Sequence, residues 1–369
     1  MASFVFPTSA ELHSIEMNYL AVLTYDDPIF KILPIQYMDA DVIAFEQEDD
    51  YIGLQTMRGI NGAPGNVTPV GIKRYTIKPG VYGEYISISE TELVKRRQAG
   101  SVFKLVSVKD LIRKRQELLL HRRINRIRQI CWNLLTTGTF SVSNASGSVT
   151  HTDTFSPQVF NAYYRHPWGD KDNATPLVDI RNAAISYRGF SVQFNEKDKI
   201  YLNKKTFNNL LFNWNFDDLF GHRLRGQGMI QNVRELNRVL TGMGLPNAVV
   251  YDHTYDDMNP INAITTKSHL DQNNNVIIDG YTHTFIPDDI AVMVGHRNDD
   301  KPIGAYKITR NANTPDSKPG CYVKVEDSLK TGGAPPRSIQ VHDGHNGAVT
   351  LNFPSSFVIM NVGLRANPP

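Results

Sequence analysis

The 369-residue sequence predicts an α+β fold organised around one long helix, and three stretches carry that expectation. Residues 107–138, SVKDLIRKRQELLLHRRINRIRQICWNLLTTG, combine helix caps with apolar residues every three or four positions. Residues 53–83 hold seven glycines and three prolines between β-forming runs, which predicts a hairpin arm. After His166-Pro-Trp-Gly, helical and strand patterns alternate, which predicts a mixed α/β domain.

Residues 1–50 mix short apolar runs with Pro7, Pro28 and Pro34 and end in an acidic knot, Glu46 to Asp50. Little periodicity is legible there, so an extended arm without a core of its own is expected. In the next segment Asn61-Gly62 and Pro64-Gly65 are turn signals, flanked by Ile72, Tyr75 and Ile77. A two-stranded arm closing at Tyr85-Ile-Ser-Ile is predicted. Such a hairpin is marginal alone in water, so it is expected to lie on something else.

A short helix follows, with Ser89 and Glu92 as a capping box and Gly100 beyond its end. The long helix starts at Ser107 with Asp110 and stops at Gly138. Val108, Leu111, Ile112, Leu119, Ile124, Ile127, Cys131 and Leu134 form its apolar stripe. About thirty residues at ~1.5 Å each give a rod of roughly 45 Å.

Phe140 to Phe155 reads as a polar hairpin with its turn at Asn144-Ala-Ser-Gly. Thr175-Pro176 starts a helix through Tyr187, with proline at the first helical position. Helices are also predicted at Thr206–Asn213 and Met229–Leu240, and strands at 199–203, 248–251, 290–295 and 357–362. Ile261–Thr266 and Val276–Phe285 are expected to flank a hairpin turn, and residues 311–336 to be loop.

A hydrophobic content of 41% and a charged content of 21% are those of a globular chain and argue against disorder. The net charge of +2 is low for a dedicated nucleic-acid binder. Two cysteines, Cys131 and Cys321, make neither a disulfide framework nor a four-ligand zinc site, and Cys131 is expected as a small buried residue. No run approaches the length of a membrane span, and the opening stretch lacks the pattern of a signal peptide. A soluble cytoplasmic protein is therefore expected, with the sequons at Asn66, Asn144 and Asn173 chance matches.

Charge is concentrated in one place. Between Lys104 and Arg128 stand nine basic residues against Asp110 and Glu117, a local +7 that leaves −5 for the rest of the chain. Such a helix suits phosphates through counterion release. However, no helix-turn-helix, zinc-finger or aromatic RNA-binding pattern accompanies it. The reading preferred here packs the apolar stripe on a sheet and pairs the arginines with acidic surfaces of neighbouring subunits. A nucleic-acid-binding module on helix 107–138 remains the alternative.

Catalytic signals are weak. Gly221 to Gly228 lacks the Lys-Ser/Thr of a phosphate loop, and Asp252, His253, Asp256 and Asp257 read as a polar turn. Asp271, Asn273 and Asn275 open like a calcium loop, but Val276 stands where glycine is needed and Thr282 where glutamate is needed. His342 and His345 form a weak pair in what reads as a glycine-rich loop. No enzyme, metal or cofactor is expected.

In element order the chain resembles the major capsid proteins of tailed double-stranded-DNA bacteriophages, the Hong Kong 97-type fold, and within it the lambda-type capsid protein E family. Three stretches carry the likeness: Leu134-Leu-Thr-Thr-Gly-Thr-Phe, where the helix enters a hairpin; His166-Pro-Trp-Gly with Thr175-Pro-Leu-Val-Asp-Ile; and Phe285-Ile-Pro-Asp-Asp-Ile-Ala-Val-Met-Val-Gly. The resemblance implies an N-terminal arm at 1–50 and an extended loop at 51–103. It implies a peripheral domain with the spine helix at 104–160 and 300–345, and an axial domain at 161–299 and 346–369. It further implies hexamers and pentamers tiling an icosahedral shell around the genome, with interlocked arms ordering the termini. Implied partners are other copies of the chain, a decoration protein, a portal, a separate scaffolding protein and packaged DNA contacted without sequence preference, but no membrane. The covalent cross-link of the Hong Kong 97 relative is not carried over. An encapsulin-type compartment shares the fold and is a further alternative. Assembly residues are expected among Arg58, Lys73, Arg74, Lys78, Arg113, Arg115, Arg122, Arg123 and Arg126.

Overall fold

The computed structural model describes residues 7–47, 54–55, 57–58, 60, 62–63, 73–95, 106–143, 149–162, 166–187, 192–211, 232–256, 268–270, 276–278, 282–297, 301–314, 317–329 and 336–363. Both chain ends, the expected turns at 144–148 and 271–275, the 221–228 stretch and the proposed strand 261–266 lie outside these residues.

The N-terminal stretch is not an extended arm. Thr8 and Glu11 form a reciprocal capping box, with the Thr8 hydroxyl accepting from the Glu11 amide at 3.2 Å, and open helix α1 (Ser9–Tyr25). Asp27 caps α2 (Pro28–Ile32), which has proline at its first position. Strands β1 (Ile35–Tyr37), β2 (Ile43–Gln47), β3 (Lys73–Ile77) and β4 (Gly80–Ile88) follow, then α3 (Glu90–Lys95). The expected pairing within the hairpin arm is also corrected. Among the described residues β3 pairs with β2, and β4 pairs with a strand near the C-terminus. That part of the arm therefore finds its cover within its own chain.

The long helix α4 (Val108–Thr137) runs over 30 residues. Ser107 and Asp110 cap its start, and Gly138, at φ 73°, ends it in the left-handed conformation. Beyond it lie β5 (Thr139–Ser143) and β6 (Val149–Thr154), an antiparallel pair, and β7 (Gln158–Asn161). Then come α5 (Pro176–Ser186), β8 (Lys199–Leu202), α6 (Lys204–Leu211) and α7 (Val233–Gly242). Strands β9 (Asn247–Val250), β10 (Thr254–Asp256), β11 (Ser268–Leu270), β12 (Val276–Ile278), β13 (Thr282–Thr284) and β14 (Ile290–Val294) follow. The chain closes with β15 (Gly304–Ile308), β16 (Cys321–Asp327), β17 (Ile339–Leu351) and β18 (Phe357–Asn361). Residues 311–336, expected as loop, thus contain β16, and the two histidines expected in a loop sit on β17. β17 reads poorly as a strand because it carries Gly344 and Gly347. Both positions are crowded: a Cβ on Gly344 would lie 2.6 Å from the Tyr322 ring, and one on Gly347 would lie 2.8 Å from the Tyr306 hydroxyl.

The chain divides into two compact units, and α4 crosses the division at Cys131 and Trp132. The first comprises Met1–Phe45, Arg74–Cys131 and Gly304–Thr350. Its sheet runs β1-β15-β17-β16, with β4 also on β17; β4 and β16 are antiparallel to β17, and β1 is parallel to β15. Leu12 of α1, Leu93 of α3, and Val108, Ile112 and Leu119 of α4 pack on Ile88, Ile339 and Val341, with Ile86, Val323 and Val325 around them.

The second unit comprises Glu46–Lys73, Trp132–Ile303 and Leu351–Pro369. Its sheet runs β7-β18-β14-β8-β9, parallel at both outer pairs and antiparallel at the centre. Ile200, Leu202, Ala291, Met293, Val358 and Met360 cluster with Leu177 and Ile180 of α5, Leu210 of α6, and Leu236 and Leu240 of α7. The alternate residue Tyr201 points to the opposite face and meets the Trp132 ring at 5.5 Å. Trp168 donates its indole N–H to Asp179 at 3.0 Å, tying the segment before α5 to that helix's first turn.

Candidate functional site

The candidate site is the basic face of α4 together with the cationic segment ahead of β4. An amphipathic helix has one face to bury, and the apolar stripe of α4 takes it. The arginines between stripe positions therefore meet whatever flanks the helix. In this chain what flanks it is acidic. Arg113 pairs with Glu117 one turn on, at 3.0 Å, and Arg115 reaches Glu92 of α3 at 2.9 Å. Arg122 grips Glu84 of β4 through two nitrogens, the Nη2 bond being 2.7 Å. Lys109 bonds Glu11 at 2.6 Å, and Arg128 bonds Asp27. Arg126 is exposed and donates to Gln129 at 3.1 Å.

Arg123 differs from the others. Its side chain is 3% exposed and bridges Glu16 of α1 at 2.5 Å and Asp343 of β17 at 2.6 Å. It is an interior group, so its expected place among surface assembly contacts is corrected. Arg113, Arg115, Arg122 and Arg123 all have acidic partners in their own chain. Arg58, Lys73, Arg74 and Lys78 stay on the surface; Arg58 donates to the Gly62 carbonyl at 3.2 Å.

Electrostatics follow from these contacts. The hydrogen bond from Arg122 holds the Glu84 carboxyl below its ordinary range. Burial disfavours the Arg123 charge, but the acidic groups around it outweigh that and its pKa is raised. Burial pushes Asp343 up to about 6 against the pull of Arg123, which leaves it ionised at neutral pH. Next along β17, burial pushes His345 down to about 3, so the ring is neutral; its Nε2 lies 2.9 Å from the Tyr306 hydroxyl.

Sequence reasoning missed Glu16, Asp27, Glu84 and Asp343, the groups that absorb the charge of α4. One signal was available for Glu16. It stands one turn after Leu12 in a helix announced by the Thr8–Glu11 capping box. Among the described residues no group of three or more His, Cys, Asp or Glu is placed to hold a metal ion. No helix there is long and apolar enough to cross a membrane.

The long helix and two mixed sheets define an α+β fold of the Hong Kong 97 capsid type. No family model matches the chain, and no curated protein does. Solved structures match it end to end. A protein described as the capsid protein of a prophage from E. coli CFT073 aligns with 97% of this chain and 100% of its own, at a TM-score of 0.57 and 13% identity. A phage-related protein from Bordetella bronchiseptica RB50 aligns over 99% and 100%, at a TM-score of 0.53 and 9% identity. At such identities the shared property is the fold.

Proposed function

We propose that this chain is a shell-forming structural protein, the major capsid protein of a tailed double-stranded-DNA phage of lambda type. The carrying observation is the end-to-end fold match to a prophage capsid protein. Two features of the chain support the reading. In this conformation the basic helix is largely neutralised from within, as suits a structural spine. Leu54, Met57 and Ile60 stand almost fully exposed beside Arg58, in a segment without an acidic residue from 51 to 83. Apolar surface so placed is an interface awaiting another copy.

On this reading copies assemble as hexamers and pentamers around the genome in the host bacterial cytoplasm, and the protein resides in the virion capsid. The first unit serves as the peripheral domain and the second as the axial domain. Portal, decoration and scaffolding proteins are separate partners, and packaged DNA is contacted without sequence preference. The test replaces residues 54–72, leaving β3 and β4 intact, with a short Gly/Ser linker. The variant is expected to be a folded subunit that builds no shells while the unaltered chain assembles. Normal shells from the variant would sink the assembly role of this segment.

A further inference from the structure

A run of polar contacts in the first unit joins the N-terminal residues to α4, and it is one-sided in charge. The first thirty residues contain Glu11, Glu16, Asp26 and Asp27 and no lysine or arginine. Three of these four carboxylates take bonds from cations of α4: Glu11 from Lys109, Glu16 from Arg123, and Asp27 from Arg128. Two backbone carbonyls join them, Leu12 accepting from Gln116 at 2.8 Å and Leu23 from Arg128 at 2.9 Å. Lys109, Gln116 and Arg123 recur every seven residues, two helical turns apart, so they line one face of α4.

Apolar burial is partial: Ile15, Tyr19, Leu20 and Leu23 are half-buried, with the Tyr19 ring edge-on to His121 of α4 at 6.3 Å. Among the described side chains of α1, Leu12 is the buried hydrophobic one, while Met17, Val22 and Tyr25 are 53%, 77% and 77% exposed. Paired charge therefore supplements partial packing in holding this helix in place. Lifting α1 would free Lys109 and one arm of Arg123 and would take the Leu23 carbonyl from Arg128, which keeps Asp27 at the cap of α2; exposed Arg113 and Lys114 lie alongside. These cations are spread over several turns of one helix, which suits the regular charges of a phosphate backbone better than a single compact anion.

We propose that α1 is an intrachain cover over a polyanion-binding stripe on α4, occupying it in this conformation and displaced from it by the phosphate backbone of a nucleic acid. The inference does not rest on the shell reading, because the cover and its seat belong to one chain.

The test is hydrogen exchange on the full-length chain with and without a short DNA duplex at low salt, together with binding isotherms. DNA should raise exchange across residues 9–25 while α4 stays protected. Replacing Glu16→Gln and Asp27→Asn together should tighten DNA binding several-fold. With Lys109 and one arm of Arg123 freed, the logarithm of affinity should fall against the logarithm of salt with a slope of about −2. Bound DNA that leaves α1 protected, or an affinity indifferent to the two substitutions, would overturn the proposal. Binding of a peptide spanning residues 8–27 in the absence of DNA binding would overturn it in favour of a peptide seat. Should the double variant fail to fold, the exchange experiment on the unaltered chain decides alone.

Discussion

The two sheets of this protein are held by different forces. In the second unit, β14 and β18 carry buried apolar side chains on both faces, with α5, α6 and α7 packed on one side of the sheet and Trp132 against Tyr201 of β8 on the other. In the first unit a smaller apolar cluster is supplemented by ion pairs that stitch α1, α3, β4 and β17 to α4. Apolar burial is nearly indifferent to salt and pH, whereas paired charge is not. The difference teaches where this molecule is built to be permanent and where it is built to respond.

Substitutions can break or sharpen that contrast. The largest expected effect is Trp132→Ala. Its fully buried ring lies 4.8 Å from Tyr251 and 5.5 Å from Tyr201, and its removal should cost roughly 3–5 kcal/mol in a denaturant titration. A loss below ~1 kcal/mol would mean that the second unit does not depend on this ring. Arg123→Leu comes next, because it strands Glu16 and Asp343 as uncompensated buried charges. Breaking such a network costs roughly 3–5 kcal/mol, whereas replacing all three members with apolar residues of similar volume should be nearly neutral. If the single and triple replacements are equally damaging, the stitching account of the first unit fails.

A smaller effect is expected from acid. His345 ordinarily titrates near 6.5 and burial lowers it to about 3, so the folded state resists taking the proton that the unfolded chain accepts. Its stabilising share is therefore complete above the unfolded value and is lost as pH falls from there through about 3. Between pH 7 and pH 4.5 the unaltered chain should lose more stability than His345→Gln; equal losses would remove this histidine from the account. The smallest change is Arg122→Ala. Its partner Glu84 is half exposed, so the pair should contribute no more than about 1 kcal/mol, and less at high salt. A larger, salt-insensitive cost would show that the contact is packed rather than screened.

The same contrast governs what was legible in the sequence. Strands β8, β14 and β18 and the stripe of α4 obey the apolar periods and could be read directly. The caps at Ser89, Ser107 and Gly138 were equally plain, because each is a local bond or backbone angle. α1 was missed although Thr8 and Glu11 announce it. Its inward face carries Glu16, and a charged residue in an interior position reads as a surface one. β17 was missed because its glycines make room for Tyr322 and Tyr306, rings contributed by distant parts of the chain. At the candidate site the cations were visible as a run, but their acidic partners were not. Glu84 lies 38 positions from Arg122, Glu16 lies 107 from Arg123 and Asp343 lies 220 from it, and no local pattern links them.

The proposed role of this chain is to build a shell. It is tested most directly by expressing the chain alone and examining it by negative-stain microscopy with sedimentation velocity, at low and at high salt. Shells, curved sheets, hexamers or pentamers are the predicted result. A subunit that stays a monomer or dimer at both salts, without assembling at any concentration, would contradict it.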